Sequence, residues 1–332
     1  MKKSYLILII LIIAATILLL NDKKSNVKQE LRDFAIEDTS AISKIYFADK
    51  FGNDITLNRT ENGWIVNDKY SPREDAIKTL LGTIKSIEVN YPVSNAMHNS
   101  VIKNLASKAV KIEIFLNDQE KANKTYYIGS PGPSMIGSFM LLENSSKAFV
   151  MYIPGFNGFL APRYNIDGAS ISLDLWRDRR FVKLNPEKIN SIEIINHDDS
   201  LKSYKISKEQ ENFILKQKET EQIVSKEFSK KYFSLFRKLN CEGFMNNFSK
   251  KDSIINSKPF HTIKINSEEK GIIEFNTYHK SPKRDEYLDK NGLPLKYDQD
   301  RFYAYIENDL LLIQFYTFNK LLLNPHLIPV EK

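Results

Sequence analysis

ITLNRTENGWIVNDKY, residues Ile55–Tyr70, decides how this chain is read. Apolar and polar residues alternate on both sides of Glu61-Asn62-Gly63, the glycine-bearing turn signal of an antiparallel hairpin. The stretch also carries Trp64, one of the 2 tryptophans. That ring either meets a ligand or fills a core. A second copy of the pattern bears on the choice: YKISKEQENFILKQ, from Tyr204, sets Ile206 at the place of Leu57, Phe213 at that of Trp64 and Leu215 at that of Val66. Trp64 and Phe213 therefore mark one structural position. It asks for a large apolar ring rather than for the indole hydrogen bond, so Trp64 is expected to pack on the helix of Ile77, Leu80 and Ile84.

The similarity extends outward from the hairpin. Upstream, AISKIYF corresponds to KINSIEI. Downstream, SPREDAIKTLLGTIKSIEV puts Ile77, Leu80, Leu81, Ile84 and Ile87 on one helical face, and VSKEFSKKYFSLFRKL does the same with Phe228, Tyr232, Phe233, Phe236 and Leu239. Strand-like segments follow in both, VKIEIFL against HTIKINS, KTYYIGS against IIEFNTY, and SFMLLENSSKAFVMYI against RFYAYIENDLLLIQF. Repetition at this scale indicates tandem units. Strands that follow strands, with one helix per unit, predict an α+β fold. It comprises two tandem copies of an antiparallel β-meander with one packed helix each, plus an N-terminal transmembrane helix. The expected boundaries are an anchor at 1–22, a polar linker at 23–40, unit 1 at 41–162, a connector at 163–185 and unit 2 at 186–330. The second unit alone carries an inserted, charged loop at 280–300.

The anchor is read from MKKSYLILIILIIAATILLLNDKK, in which the apolar run from Tyr5 to Leu20 spans about 24 Å as a helix, close to the hydrocarbon core of a bilayer. The run continues past Ala14-Ala15, where a cleaved leader would end, so an uncleaved signal anchor is expected. The single Cys241 permits no internal disulfide and no cysteine-based zinc site. Net charge is +7, but the lysines are dispersed among acids, as in ISKEQENFILKQKETEQ, which reads as a solvated surface and not as a nucleic-acid stripe.

No segment carries a catalytic signature. The five histidines, His98, His197, His261, His279 and His326, form no helical pair, and neither a metal nor a cofactor is expected. GSPGPSMIGSF lacks the lysine and hydroxyl of a phosphate loop. His197-Asp198-Asp199-Ser200 reads as a solvated turn. The sharpest polar feature is Trp176-Arg177-Asp178-Arg179-Arg180, where three guanidiniums beside an indole suit an anionic partner or pair with nearby acids. Trp176, Arg177, Arg179 and Arg180 are the candidate partner contacts.

ISKIYF, the hairpin and helix that follow it, and the lead-in LWRDRRFVKLNPEKINSIEI together resemble a bacterial family catalogued as domain of unknown function 4340. The resemblance covers most of the chain after Leu20. It implies a membrane segment, an extracytoplasmic body, and association in some relatives with ABC-transporter components of the gliding-motility type; it carries over no catalytic residue. Two functional readings follow. The first is a non-enzymatic, single-pass protein of the bacterial inner membrane whose body faces the periplasm and binds another envelope protein. The second is an envelope enzyme or carbohydrate-binding module with a cleft between the repeats.

Overall fold

The computed structural model describes residues 33–282, 288 and 291–331. It divides into two compact units, Met1–Arg177 and Asp178–Lys332. In the first, Ile42–Ala48 (β1), Asp54–Thr60 (β2) and Gly63–Val66 (β3) are consecutive antiparallel strands. Gly63 sits at φ +116, a conformation that the turn reaches only because glycine has no Cβ. Leu57 pairs with Val66, both fully buried, and Arg59 pairs with Trp64 on the same face.

Glu88–Pro92 (β4), Val110–Leu116 (β5), Lys124–Pro131 (β6), Ser138–Leu142 (β7) and Phe149–Tyr152 (β8) complete an eight-stranded sheet in the order β3-β2-β1-β5-β6-β7-β8-β4. Helix α1, Glu74–Ser86, turns Ile77, Leu80 and Ile84 into the core that contains Ile45, Phe47 and Leu57. A second helix, α2 at Asn95–Lys108, applies Val101 and Leu105 to Phe139 and Val150. Strand β7 is therefore covered on both faces, which is why SFMLL reads as an unbroken apolar run instead of an alternation.

The turn after β1 is held by Asp49. Its carboxylate accepts from the backbone N–H of Phe51 at 2.8 Å and of Asn53 at 3.0 Å, from the Asn53 amide at 2.7 Å, and from the Ile171 N–H at 3.2 Å. Ile171 belongs to a small hairpin of Ile166–Asp167 (β9) with Ser170–Ile171 (β10). Burial pushes the Asp49 carboxyl up, but the bonds from Asn53, Ile171 and Phe51 outweigh it and hold it down to about 2. Asp49→Ala is expected to cost about 1–3 kcal/mol. A carboxyl depressed on folding stabilises fully above the ordinary aspartate range and stops doing so as pH falls through about 2. Urea unfolding should accordingly show a gap between the variant and the native chain at pH 7 that narrows toward pH 2.

The second unit begins with Arg180–Lys183 (β11), which pairs with Lys238–Asn240 (β16). Its nine-stranded sheet consists of Ile189–Asn196 (β12), Tyr204–Glu209 (β13), Asn212–Gln217 (β14), Thr220–Val224 (β15), Gly243–Phe244 (β17), His261–Ser267 (β18), Gly271–His279 (β19), Arg301–Ile306 (β20) and Asp309–Gln314 (β21). The order is β15-β14-β13-β12-β18-β19-β20-β21-β17. Lys226–Ser234 is a helix, continued by a 3-10 turn at Leu235–Arg237, and it buries Tyr232, Phe233 and Phe236. The helical stripe expected to run on to Leu239 stops short. Lys238–Asn240 extends to pair with Arg180–Lys183, a partner that helical spacing cannot announce.

The expected α+β class is overturned. Among the described residues β-sheet predominates, 41% strand against 24% helix. Neither sheet is a chain-order meander, because β1 pairs with β5 and β12 with β18, partners distant in the chain, while β4 and β17 cross to the far edge. Nor is there one packed helix in the first unit, since α1 and α2 cover different parts of its sheet. A helical stripe is a loud local signal, whereas the number of strands joining one sheet depends on long-range pairing. Among the described residues no helix is long and apolar enough to cross a membrane, and the anchor expected at 1–22 lies outside them.

Candidate functional site

The junction residues go to different tasks. Trp176 is fully buried, its ring 5.2 Å from that of Phe47 and its carbonyl accepting from the Arg73 N–H at 2.7 Å. Arg177 is also buried and lays its guanidinium 3.9 Å from the centre of the Tyr70 ring, a cation–π contact. In the second unit, Arg180 donates from Nε to Asp178 at 2.6 Å, and the Arg179 carbonyl accepts from the Cys241 N–H at 2.9 Å. Trp176 and Arg177 are thus enclosed in the first unit, and in the second Arg180 is held by the Asp178 carboxylate.

Three histidines that the sequence scatters do converge. Asn196 at the end of β12 pairs with His261 at the start of β18, which pairs with Thr277 near the end of β19, so His197, His261 and His279 share one end of the sheet. The hydrogen bonds fix the proton on His197 and on His261. Thr262 donates its hydroxyl to Asn276 at 2.6 Å, so the 2.9 Å contact to His197 Nε2 requires the imidazole to donate. Asn196 Oδ1 accepts from the N–H groups of Asp198 and Asp199, which turns its amide nitrogen toward His261 Nε2 at 3.1 Å. His261 therefore carries its proton on Nδ1, which is buried and has no hydrogen-bond partner among the described residues. Burial pushes the His261 imidazole down to about 4. His279 contacts Asp198 at 3.3 Å and is stacked between Phe260 and Tyr297, at 4.2 and 3.8 Å between ring centres. Among the described residues no group of three or more His, Cys, Asp or Glu is placed to hold a metal ion.

The open site lies elsewhere in the second unit, around Phe213. A groove of about 660 Å³ is bounded by the 3-10 turn Pro186–Lys188, by the β13–β14 hairpin and by the helix Lys226–Ser234. Lys226, Lys230, Phe233 and Arg237 reach it from one face of that helix and its 3-10 extension, the spacing one helical stripe provides. Beneath it Phe213 and Phe233, both buried in the core of the unit, pack edge to face with 5.2 Å between ring centres. Five cations and three carboxylates line it. Two pairs are closed internally, Lys226 with Glu211 at 2.8 Å and Lys188 with Glu268 at 3.0 Å. Lys208, Lys230 and Arg237 carry no ion pair among the described residues, so the groove has a surplus of positive charge. The Lys226 ammonium, with Lys208 and Lys230 beyond it, holds the Glu211 carboxyl below its ordinary value.

The stretch ISKEQENFILKQKETEQ contains Lys208, Glu211 and Phe213, so part of what reads as a solvated surface is one wall of this groove. The usable signal was the recurrence of Lys226, Lys230, Phe233 and Arg237 on one helical face.

Residues 64–258, more than half of the chain, match the family model described as domain of unknown function, DUF4340. The chain belongs to the DUF4340 family. The match spans both hairpin rings, Trp64 and Phe213, and all of the groove except Glu268. Neither a curated protein nor a solved structure matches the chain.

Proposed function

We propose that this DUF4340 chain is a non-enzymatic interaction module of the bacterial envelope, anchored in the inner membrane by residues 1–22 with its body in the periplasm. Its partner is another envelope protein, such as a component of an ABC-transporter or gliding-motility-type system. The observation that carries this reading is the groove over Phe213 and Phe233, where cations exceed carboxylates. Lysines and an arginine in surplus over carboxylates suit recognition of an anionic surface. The histidine cluster is the feature on the side of an envelope enzyme. His197 and His261 are engaged by Thr262 and Asn196, His279 meets the exposed Asp198, and none of these imidazoles lines the groove.

Crosslinking in intact membranes, followed by capture of the full chain, tests the proposal. The expected result is the same envelope protein in replicate captures, with recovery falling as salt shortens the Debye length from about 10 Å at 0.1 M to about 3 Å at 1 M. Captures that share no envelope protein, or that ignore salt, would count against it.

A further inference from the structure

At the end of β12 one side chain serves two neighbours at once. Asn196 Oδ1 accepts from the backbone N–H groups of Asp198 at 3.0 Å and Asp199 at 2.8 Å. The Asp199 carboxylate accepts in turn from the Leu201 N–H at 3.1 Å and caps the 3-10 turn Ser200–Lys202. The nitrogen of the same Asn196 amide faces His261 Nε2 at 3.1 Å. The Asn196 backbone is fixed, because its N–H donates to the Ser203 hydroxyl at 2.9 Å and its Cα is paired with that of His261 in the β12–β18 ladder. His261 is equally fixed, with Phe260 at 4.6 Å between ring centres and its backbone N–H donated to the Thr277 hydroxyl at 3.1 Å. The charged and titratable groups around it are His197, Asp198 and Lys202 from the turn and His279 from β19, with Tyr297 stacked beyond His279. Lys258, which precedes β18, reaches the His197 carbonyl at 2.6 Å and Asp198 at 3.8 Å, and Asp199 meets Lys202 at 3.4 Å.

We propose that Asn196 and His261 form an acid-sensitive latch, shut on the turn at 197–202 while the imidazole is neutral and released when it takes a proton. A neutral His261 accepts the Asn196 amide at Nε2, and every bond above is satisfied. In the imidazolium both ring nitrogens donate, so Nε2–H would face the amide nitrogen and set donor against donor. Turning the Asn196 amide over would offer Oδ1 to the imidazolium. It would also aim the amide nitrogen at the N–H groups of Asp198 and Asp199, and one conflict would become two. The proton on His261 and the bonds that hold the turn are therefore exclusive. Release frees Asp198, whose carboxylate meets His279 at 3.3 Å and whose charge favours the imidazolium. Burial pushes the His261 imidazole down to about 4, so the latch is shut at neutral pH and opens as pH falls toward that value.

The test is hydrogen exchange of the full chain in detergent, read at the Asp198 and Asp199 amides between pH 6.5 and 4.5 and corrected for the intrinsic pH dependence of exchange. In the native chain the protection of these two amides is expected to fall by about tenfold or more, with the amides of β18 staying about tenfold better protected than the turn at pH 4.5. Asn196→Asp keeps an oxygen for the two amides and sets a second one where the imidazolium can donate. His261→Leu removes the group that takes the proton. In each variant the fall is expected to stay below about threefold, and thermal unfolding at pH 7 confirms that each folds. Protection of the turn that persists in the native chain at pH 4.5, or an equal fall in a folded variant, would overturn the inference. So would exchange of the turn and of β18 in step, since acid would then act by unfolding the unit and not by releasing a latch.

Discussion

Trp176→Ala is expected to remove about 3–5 kcal/mol from the first unit, the cost of truncating a fully enclosed large aromatic residue. Trp176 has no exposed surface and packs against Phe47 in the core shared with Leu57 and Ile84. Its backbone carbonyl holds the Arg73 N–H that precedes α1, so the residue ties the end of the unit to the start of its helix. Trp176→Phe should cost less, because it keeps much of the ring contact and gives up an indole Nε1–H that has no partner among the described residues. Urea unfolding of the full chain, followed by probes in each unit, is the measurement. A loss below about 1 kcal/mol for the alanine variant would show that Trp176 is not the core residue described here.

Acidification from pH 6.5 to about 4 is expected to cost the second unit about 3 kcal/mol through His261 alone. Burial holds this imidazole neutral, with the Asp198 carboxylate opposing and His279, His197 and Lys202 adding to the depression. The sign follows from which state takes the proton first. The unfolded chain protonates His261 near 6.5 and the folded chain only near 4, so stability is complete above 6.5 and is lost as pH falls through that interval. His261→Leu removes the titration and with it a buried Nδ1–H that has no partner among the described residues. The variant should lie within about 1 kcal/mol of the native chain at pH 7.5 and lose less stability by pH 4.5. Equal acid sensitivity in the two chains would place the loss on other groups. The window also separates this effect from Asp49, whose contribution persists to about pH 2.

How much was legible differs from residue to residue. The Ile55–Tyr70 hairpin could be read almost completely, because alternation and the Asn62-Gly63 turn are local signals; Leu57 meets Val66 as the pattern requires. The stripe of Ile77, Leu80 and Ile84 was equally readable and is buried. Helix α2 was not, since it buries only Val101 and Leu105 and so leaves a faint periodicity. Trp64 and Phe213 were read as one position, yet they end in different settings. Trp64 is half-buried beneath the Arg59 guanidinium at the margin of the first core, while Phe213 is buried in the core of the second unit. Nothing local distinguishes an arginine that folds back on its own hairpin from a lysine that does not. The histidines were invisible as a group for a similar reason, because His197 and His261 meet only through the β12–β18 register.

Periods of two and of 3.6 residues, turn residues and the recurrence of one pattern were sufficient to place the hairpins and the main helices, because those features depend on neighbours within a few positions. Tertiary structure alone decided that the strands join two large sheets, that Trp176 and Arg177 are enclosed, and that cations from a helix, a hairpin and a 3-10 turn surround Phe213. Each of these results depends on pairing between segments distant in sequence. Such pairing is fixed by which buried faces fit together, and no single stretch of the chain contains that information.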